Sequence, residues 1–339
     1  MKKILTILAL TISFSMNAQI STYSTDNSGT HASAIGNGTT ASGQSSTAMG
    51  QSSTSVGQAS TAMGHSTTAD AFAATAMGAG TTASGQYSTA MGFNTTASGQ
   101  YSTAMGYNST ASASNSTAMG TGTTADGQYS TAMGYNTVAD GYHSMAMGNG
   151  SYAIGRLSTA MGFNTTASDY ASVVIGRFNS SGHSATSSDS FSTSAPAFVI
   201  GNGTTINAKS DAFKVMFNGD TTVGNDLTVS GDVVISSDAR LKSNIVSLGS
   251  TLPKLLQIDG KSYEMKGKQK IGVLAQEIKE VFPELVSEDD NKMLAVNYQG
   301  LVPVLINALK EQDAKMKEQE KKINRLEKIL LKLNENYED

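Results

Sequence analysis

The chain has 339 residues, no cysteine and a formal net charge of −4 at neutral pH. The lack of cysteine excludes disulfides as a source of stability, and the slight acidity argues against nucleic acid as a partner. Residues 19–236 contain no Glu, and their cations are Arg156, Arg177, Lys209 and Lys214. Charges of both signs are dense from Ser237 onward, so we expect a boundary between two kinds of structure there.

Residues 1–18 are typical of a secretory signal peptide. Lys2 and Lys3 precede an apolar run from Ile4 to Phe14, and Ala18 supplies a small residue for cleavage. A transmembrane helix is the alternative, but this run is shorter than the roughly 20 residues that a bilayer requires. We therefore predict a secreted protein, extracellular or at the cell surface, whose mature part has no transmembrane segment.

A fourteen-residue repeat dominates residues 19–176. Its best-preserved unit reads Ser-Thr-Ala-Met-Gly, an aromatic or small residue, then Asn-Thr-Thr-Ala-Ser-Gly-Gln, and glycines keep the phase from Gly36 to Gly176. A second small residue, such as Gly99, follows seven positions after each main glycine, so each unit holds two short strands and two turns. Glycine supplies the positive φ or the close backbone approach that these turns need.

The constant phase predicts a β-solenoid, with the Met column from Met49 to Met161 as its core. Disorder is the alternative for a stretch so rich in Gly, Ser and Thr, but disorder does not require a constant phase. One coil offers little apolar area, because ordering fourteen residues costs roughly 20 kcal/mol and burying one Met with a few Ala recovers only a small part of it. This imbalance favours association of several chains.

Units such as Ser116-Thr117-Ala118-Met119-Gly120 and Tyr152-Ala153-Ile154-Gly155 resemble the head repeats of trimeric autotransporter adhesins, over about residues 31–176. The resemblance implies a left-handed parallel β-roll, three chains side by side, and adhesion to a host or surface ligand.

Residues 177–236 are predicted to form a β-rich connector or stalk. The period is lost from Arg177 to Ala195, and an Ile-Gly signature returns over 196–201. Alternating apolar and polar residues predict strands over 212–217 and 227–235.

The sharpest motif begins at Ser237 and reads Ser-Asp-Ala-Arg-Leu-Lys-Ser-Asn-Ile. It is followed by Ile-Gly-Val-Leu-Ala-Gln-Glu over 271–277, Phe-Pro-Glu-Leu-Val over 282–286, and Val-Asn-Tyr over 296–298. Together these blocks resemble the intramolecular chaperone domain of phage tail spikes and tail fibres, a self-cleaving serine endopeptidase family, over about residues 237–310. The resemblance implies a small α+β domain that cuts its own chain once.

In that family a serine and a lysine form a dyad, which implies Ser237 as nucleophile, Lys242 as base, and cleavage between Ser236 and Ser237. Three further residues of the motif are candidates for support: Asp238, Arg240 and Asn244. Asn244 is able to donate to an oxyanion, and Arg240 to pair across subunits. A lysine acts as base only where its pKa falls below the ordinary value of about 10.4, and burial has that effect. If trimer assembly supplies the burial, cleavage waits for correct folding.

One long helix is predicted over about 299–336, within a coiled-coil segment of residues 299–339. Lys and Glu flank an a/d seam, which predicts a coiled coil. The Ile and Leu residues of the seam alone favour a coiled coil of two helices, whereas the modules upstream imply three. A solvated lone helix is the alternative. The seam residues are Val302, Leu305, Leu309, Gln312, Met316, Gln319, Ile323, Leu326, Leu330, Leu333 and Tyr337.

No cofactor or metal site is predicted, because His31, His65, His143 and His183 lack metal-ligand spacing, and the absence of Glu from the repeats argues against a paired-carboxylate glycosidase. The sequence thus predicts a mainly β, secreted homotrimeric fibre whose C-terminal domain promotes assembly and releases itself. One alternative is an uncleaved surface adhesin with the C-terminal domain as a trimerisation module only. Another is a Thr-rich solenoid face that binds ice or another regular surface.

Overall fold

The computed structural model describes residues 23–289 and 292–335. The predicted signal peptide and Tyr337 of the predicted seam lie outside the described residues. The chain divides into two compact units, Met1–Gly231 and Asp232–Asp339. The first is a β-solenoid and the second a small α+β fold.

Each coil of the solenoid contributes one strand of five residues and one strand of two. The long strands carry the odd numbers β1 to β21 and are Ser33–Asn37, Thr47–Gln51, Thr61–His65, Thr75–Ala79, Thr89–Phe93, Thr103–Tyr107, Thr117–Thr121, Thr131–Tyr135, Met145–Asn149, Thr159–Phe163 and Val173–Arg177. The short strands carry the even numbers β2 to β20 and are Thr40–Ala41, Thr54–Ser55, Thr68–Ala69, Thr82–Ala83, Thr96–Ala97, Thr110–Ala111, Thr124–Ala125, Val138–Ala139, Tyr152–Ala153 and Thr166–Ala167.

The long strands form one sheet and the short strands another. Neighbouring coils pair in parallel at a constant offset, so Met91 lies beside Met105 and Gly92 beside Gly106. Equivalent residues therefore stack along the solenoid, which confirms the predicted parallel β-solenoid.

Small side chains, and not methionines, fill the interior of the solenoid. The second residue of every long strand from Ala48 to Val174 is completely buried, as is that of every short strand from Ala41 to Ala167. The prediction of a Met core is wrong because side chains alternate along a strand, so the residue after the buried Ala points outwards. Met49 and Met161 keep 38% and 36% of their surface exposed.

Two columns of glycine run along the solenoid, one that includes Gly106 and one that includes Gly99. The first column has a positive φ and a close backbone neighbour, and the second has the close neighbour without the positive φ, so both predicted reasons for glycine are confirmed. Gly106 has a φ of 115°, and a Cβ there would lie 2.0 Å from the carbonyl oxygen of Gly120. A Cβ on Gly99 would lie 1.9 Å from the carbonyl oxygen of Ala113. The left-handed corners include non-glycine residues such as Tyr101, with a φ of 57°.

Three strands follow the repeats: β22 (Pro196–Asn202), β23 (Asp211–Met216) and β24 (Thr221–Val223). The first continues the long-strand sheet in parallel, and the other two add antiparallel. The predicted strand over 227–235 is wrong, because this stretch is exposed and forms no strand. A strand needs a neighbour for its N–H and C=O groups, and the described part of this chain offers none there.

The loop between β21 and β22 closes the end of the short-strand sheet. The Asn179 side chain accepts from the Thr166 amide over 2.8 Å and donates to the Thr166 carbonyl over 2.9 Å, as a further strand would. The buried Asp169 accepts from the amides of Thr186 and Ser187. The edge of the short-strand sheet at β20 is therefore paired within the chain and is not open to strand addition.

The described residues of the second unit form three α-helices and two antiparallel hairpins. In chain order these are α1 (Leu252–Leu255), β25 (Lys261–Met265), β26 (Lys268–Gly272), α2 (Ala275–Val281), β27 (Val286–Glu288), β28 (Leu294–Val296) and α3 (Leu301–Glu335), with 3-10 helices at Ala239–Leu241, Pro283–Leu285 and Tyr298–Gly300. Ile278, Phe282 and Val304 form the buried centre.

Helix α3 packs on this centre only through its first turns. All side chains over 312–333 are exposed, including Ile323 at 55% and Leu326 at 58% of the predicted seam. The predicted long helix is confirmed, and its coiled-coil partners remain a prediction. Among the described residues, no helix combines the length and the apolarity that crossing a membrane requires.

Candidate self-cleavage site

Ser237 and Lys242 meet on an exposed turn near the start of the second unit. Lys242 Nζ donates to Ser237 Oγ over 2.7 Å. The 3-10 helix Ala239–Leu241 folds the intervening residues back, so that two side chains five positions apart come within hydrogen-bond reach. Both are exposed to solvent.

Asp238 and Arg240 stabilise this turn. Asp238 Oδ1 accepts from the Arg240 amide over 2.9 Å and caps the 3-10 helix. Its carboxylate also binds the Arg240 guanidinium, with Nη2 2.6 Å from Oδ2 and Nε 3.1 Å from each oxygen. The side-chain hydrogen bond from Arg240 lowers the pKa of Asp238, and the same bond raises the pKa of Arg240. Arg240 thus pairs within its own chain.

Asn244 has a left-handed backbone, with a φ of 53°, which Asn tolerates better than most residues. It therefore turns the chain just after the dyad, and its role at an oxyanion stays a prediction. The apolar residues near the site in sequence are uncovered, with exposed fractions of 89% for Val234, 73% for Leu241 and 83% for Val246.

Glu311, which the sequence did not single out, attaches the chain downstream of the dyad to α3. Its carboxylate accepts from Ser250 Oγ over 2.8 Å and from the Thr251 amide over 2.5 Å, and the hydrogen bonds from Thr251 and Ser250 lower the pKa of Glu311. Glu311 caps α1 in place of Thr251, whose own side chain makes no cap. The Thr-Leu-Pro start of α1 signals a helix N-terminus that needs a cap, but not which residue provides it.

Several segments of the chain match models of known families. Residues 28–53, 69–95, 97–123, 125–151 and 153–179 match the model of the YadA head domain repeat. Residues 237–287 match the model of a peptidase family described as chaperone of endosialidase, and this match begins at Ser237. The chain therefore carries segments similar to YadA head repeats, followed by a segment similar to the chaperone of endosialidase. The chaperone match ends before the predicted limit at residue 310, so that limit remains a prediction.

Two curated relatives are the long tail fiber protein Gp37 of Enterobacteria phage K3 and that of Enterobacteria phage T2. Each is 36% identical over 95 residues, which cover 25% of this chain. The aligned stretch covers 8% and 7% of the relatives, so the chain spans less than a tenth of their length. The chain is thus tail-fibre-like and adhesin-like, with a chaperone domain.

Proposed function

We propose that this protein is a secreted, trimeric fibre or adhesin whose chaperone domain promotes assembly and then cuts the bond between Ser236 and Ser237. The observation that carries the proposal is the 2.7 Å contact between Lys242 Nζ and Ser237 Oγ, at the first residue of the matched peptidase segment. The extracellular or cell-surface location belongs to the same proposal.

The chemistry requires only groups of this chain and water. A neutral Lys242 amine takes the proton of Ser237 Oγ, which attacks the carbonyl carbon of Ser236. The Ser236–Ser237 C–N bond breaks, the amide nitrogen takes up a proton, and residue 236 is left as an ester on Ser237 Oγ. Water then hydrolyses this ester, which yields a carboxylate at Ser236, a free hydroxyl and a new amino terminus at Ser237.

Assembly is proposed to activate the reaction. A lysine is the base only in its neutral form, which burial favours, and in the single chain both Ser237 and Lys242 are exposed. The uncovered Val234, Leu241 and Val246 offer apolar surface for neighbouring chains to cover. Covering them would bury the dyad as well, so cleavage would follow correct folding.

Each unit leaves open a surface suited to association. The outer face of the long-strand sheet carries the half-exposed Met column, and α3 exposes its whole described seam. Burying apolar surface of this kind contributes roughly 25 cal/mol per Å². The YadA head match supports three chains, although the seam residues alone lean towards two.

The exposure of the dyad also favours a second candidate, an uncleaved adhesin in which the chaperone domain is only a trimerisation module. Expression of residues 19–339 with and without Ser237→Ala separates the two candidates. The first predicts two fragments from the unchanged chain and one intact band from the variant. Intact bands from both, in folded protein, would support the second.

A further inference from the structure

A pocket lies where the connector folds back on the last coils of the solenoid. It has a volume of about 230 Å³ and is lined by Tyr152, Ile154, Asn164, His183, Ile206 and Lys209, among others. Its residues come from three parts of the first unit: the last coils, the loop after β21, and the turn between β22 and β23. None of the self-cleavage residues takes part in it.

The repeat pattern breaks at two of the positions that form this pocket. Of the ten short strands found in residues 23–289, eight begin with Thr, whereas β18 begins with Tyr152. Two residues later the repeat has Ser or Asp in most coils, and here it has Ile154. Alternation along the strand directs both side chains to the outer face of the short-strand sheet.

Packing of the connector onto the solenoid leaves part of the surface of these apolar side chains exposed. Tyr152 keeps 41% of its surface exposed, Ile154 40% and Ile206 61%. An apolar wall that remains open is typical of a ligand site.

Lys209 gives the pocket a positive charge in a region where cations are rare. Its Nζ lies 2.6 Å from His183 Nε2. Burial, followed by the charge of Lys209, lowers the pKa of His183, so the neutral imidazole accepts a hydrogen bond from the ammonium and orients it. The remaining ammonium protons are available to an anion.

We propose that this pocket binds a carboxylate-bearing sugar ring. The Tyr152 ring and Ile154 would contact the apolar face of the sugar, Lys209 would bind its carboxylate, and the Asn164 amide would bind a hydroxyl. A carboxylate with an ammonium forms a charge-assisted hydrogen bond, the stronger class in proteins. The volume suits one sugar residue and not a larger ligand.

The pocket is compatible with the trimer proposed above. It opens on the outer face of the short-strand sheet, whereas the Met column lies on the outer face of the long-strand sheet, across the alanine core. Association through the Met column therefore leaves the pocket open. The inference names a ligand class for the proposed adhesin, and it depends on that function for its biological meaning only.

Binding is tested with residues 19–339 by saturation-transfer NMR and calorimetry, using glucuronate and galacturonate as probes and glucose as the neutral match. We expect at least one acid to bind and glucose to bind about tenfold more weakly or not at all. Lys209→Gln should cost about tenfold in affinity for the acid. No binding of either acid, or equal binding of glucose, would overturn the proposal.

The decisive variant is Tyr152→Thr with Ile154→Ser, because it restores residues that other coils already carry and so preserves the fold. It should abolish binding, whereas Val138→Thr with Asp140→Ser, on the preceding coil, should not change it. Binding that survives Tyr152→Thr with Ile154→Ser is adventitious and contradicts the proposal. Cleavage is read from the same samples, so a failed pocket and a failed autoprotease give different results.

Discussion

Lys242 Nζ and Ser237 Oγ lie 2.7 Å apart in a single chain, with Asp238 and Arg240 closing the turn between them. The motif therefore forms the contact between the proposed nucleophile and the proposed base locally, without help from the core of its own unit. What the single chain leaves incomplete is burial, since both side chains remain in contact with solvent. The proposed cleavage therefore has two requirements, the contact between Ser237 and Lys242 and the burial of both side chains, and each can be tested separately.

Lys242→Arg should abolish cleavage, although arginine retains a donor near Ser237. A guanidinium stays protonated in proteins and cannot take the serine proton. The matched control is Lys254→Arg on α1, which should cleave like the unchanged chain. Gel analysis of folded protein gives the cleaved fraction, and normal cleavage by Lys242→Arg would exclude lysine as the base.

Asp238→Asn and Arg240→Ala should slow cleavage without preventing it. Each loses the charge-assisted pair that holds the turn, and a misplaced nucleophile reacts more slowly, by about tenfold here. The rate of fragment appearance after refolding measures this effect. Rates equal to those of the unchanged chain would show that the pair has no part in positioning.

Gly106→Ala should destabilise the solenoid by about 3 kcal/mol, because its φ is 115° and a Cβ would meet the Gly120 carbonyl oxygen. A Cβ on Gly127 would also lie 2.0 Å from a carbonyl oxygen, that of Gly141, but Gly127 has no positive φ. Gly127→Ala should therefore cost less, and the equivalent positions of two other coils already carry Ala71 and Ala113. Thermal unfolding followed by circular dichroism compares the two variants. Equal losses would contradict the distinct roles of the glycine columns.

Glu311→Gln should lower the melting temperature of the second unit at neutral pH. Hydrogen bonds depress the pKa of Glu311 in the folded state below 4.5, so its contribution is present above pH 4.5 and is lost as the pH falls through the folded-state pKa. The difference between variant and unchanged protein should therefore shrink in acid. A difference that is constant from pH 7 to pH 3 would contradict this account.

Ile323→Glu should weaken association, because it places a charge in the seam of α3. Lys328→Glu puts the same side chain outside the seam and is the control. Sedimentation equilibrium should give three chains for the control and fewer for Ile323→Glu, with slower cleavage in the latter. Unchanged mass and cleavage in Ile323→Glu would show that the helix does not drive assembly.

The sequence predicted the features that depend on periodicity or on a contiguous motif. The constant phase of the glycines from Gly36 to Gly176 was sufficient to predict the solenoid. The polar residues that flank the seam of α3 were sufficient to predict the long helix. The prediction of a Met core was wrong because the sequence pattern marks which residues are apolar, but does not show which face of a strand points into the solenoid.

Contacts between residues that are distant in the chain could not be predicted from the sequence. Glu311 meets Ser250 and Thr251 across about sixty positions, and His183 meets Lys209 only because the connector folds back. The strand predicted over 227–235 failed for a related reason, since alternation alone does not supply a pairing partner. Tyr152 and Ile154 differ from the Thr and from the Ser or Asp that most coils carry at these positions, and this difference is visible in the sequence alone.

The central claim is that an assembled trimer cuts itself at Ser237, and a refolding time course of residues 19–339 tests it most directly. Native mass spectrometry follows the number of chains while intact mass identifies each fragment. The account predicts that a trimer forms first and that fragments ending at Ser236 and beginning at Ser237 then appear together. A stable, fully folded trimer of uncut chains would contradict it.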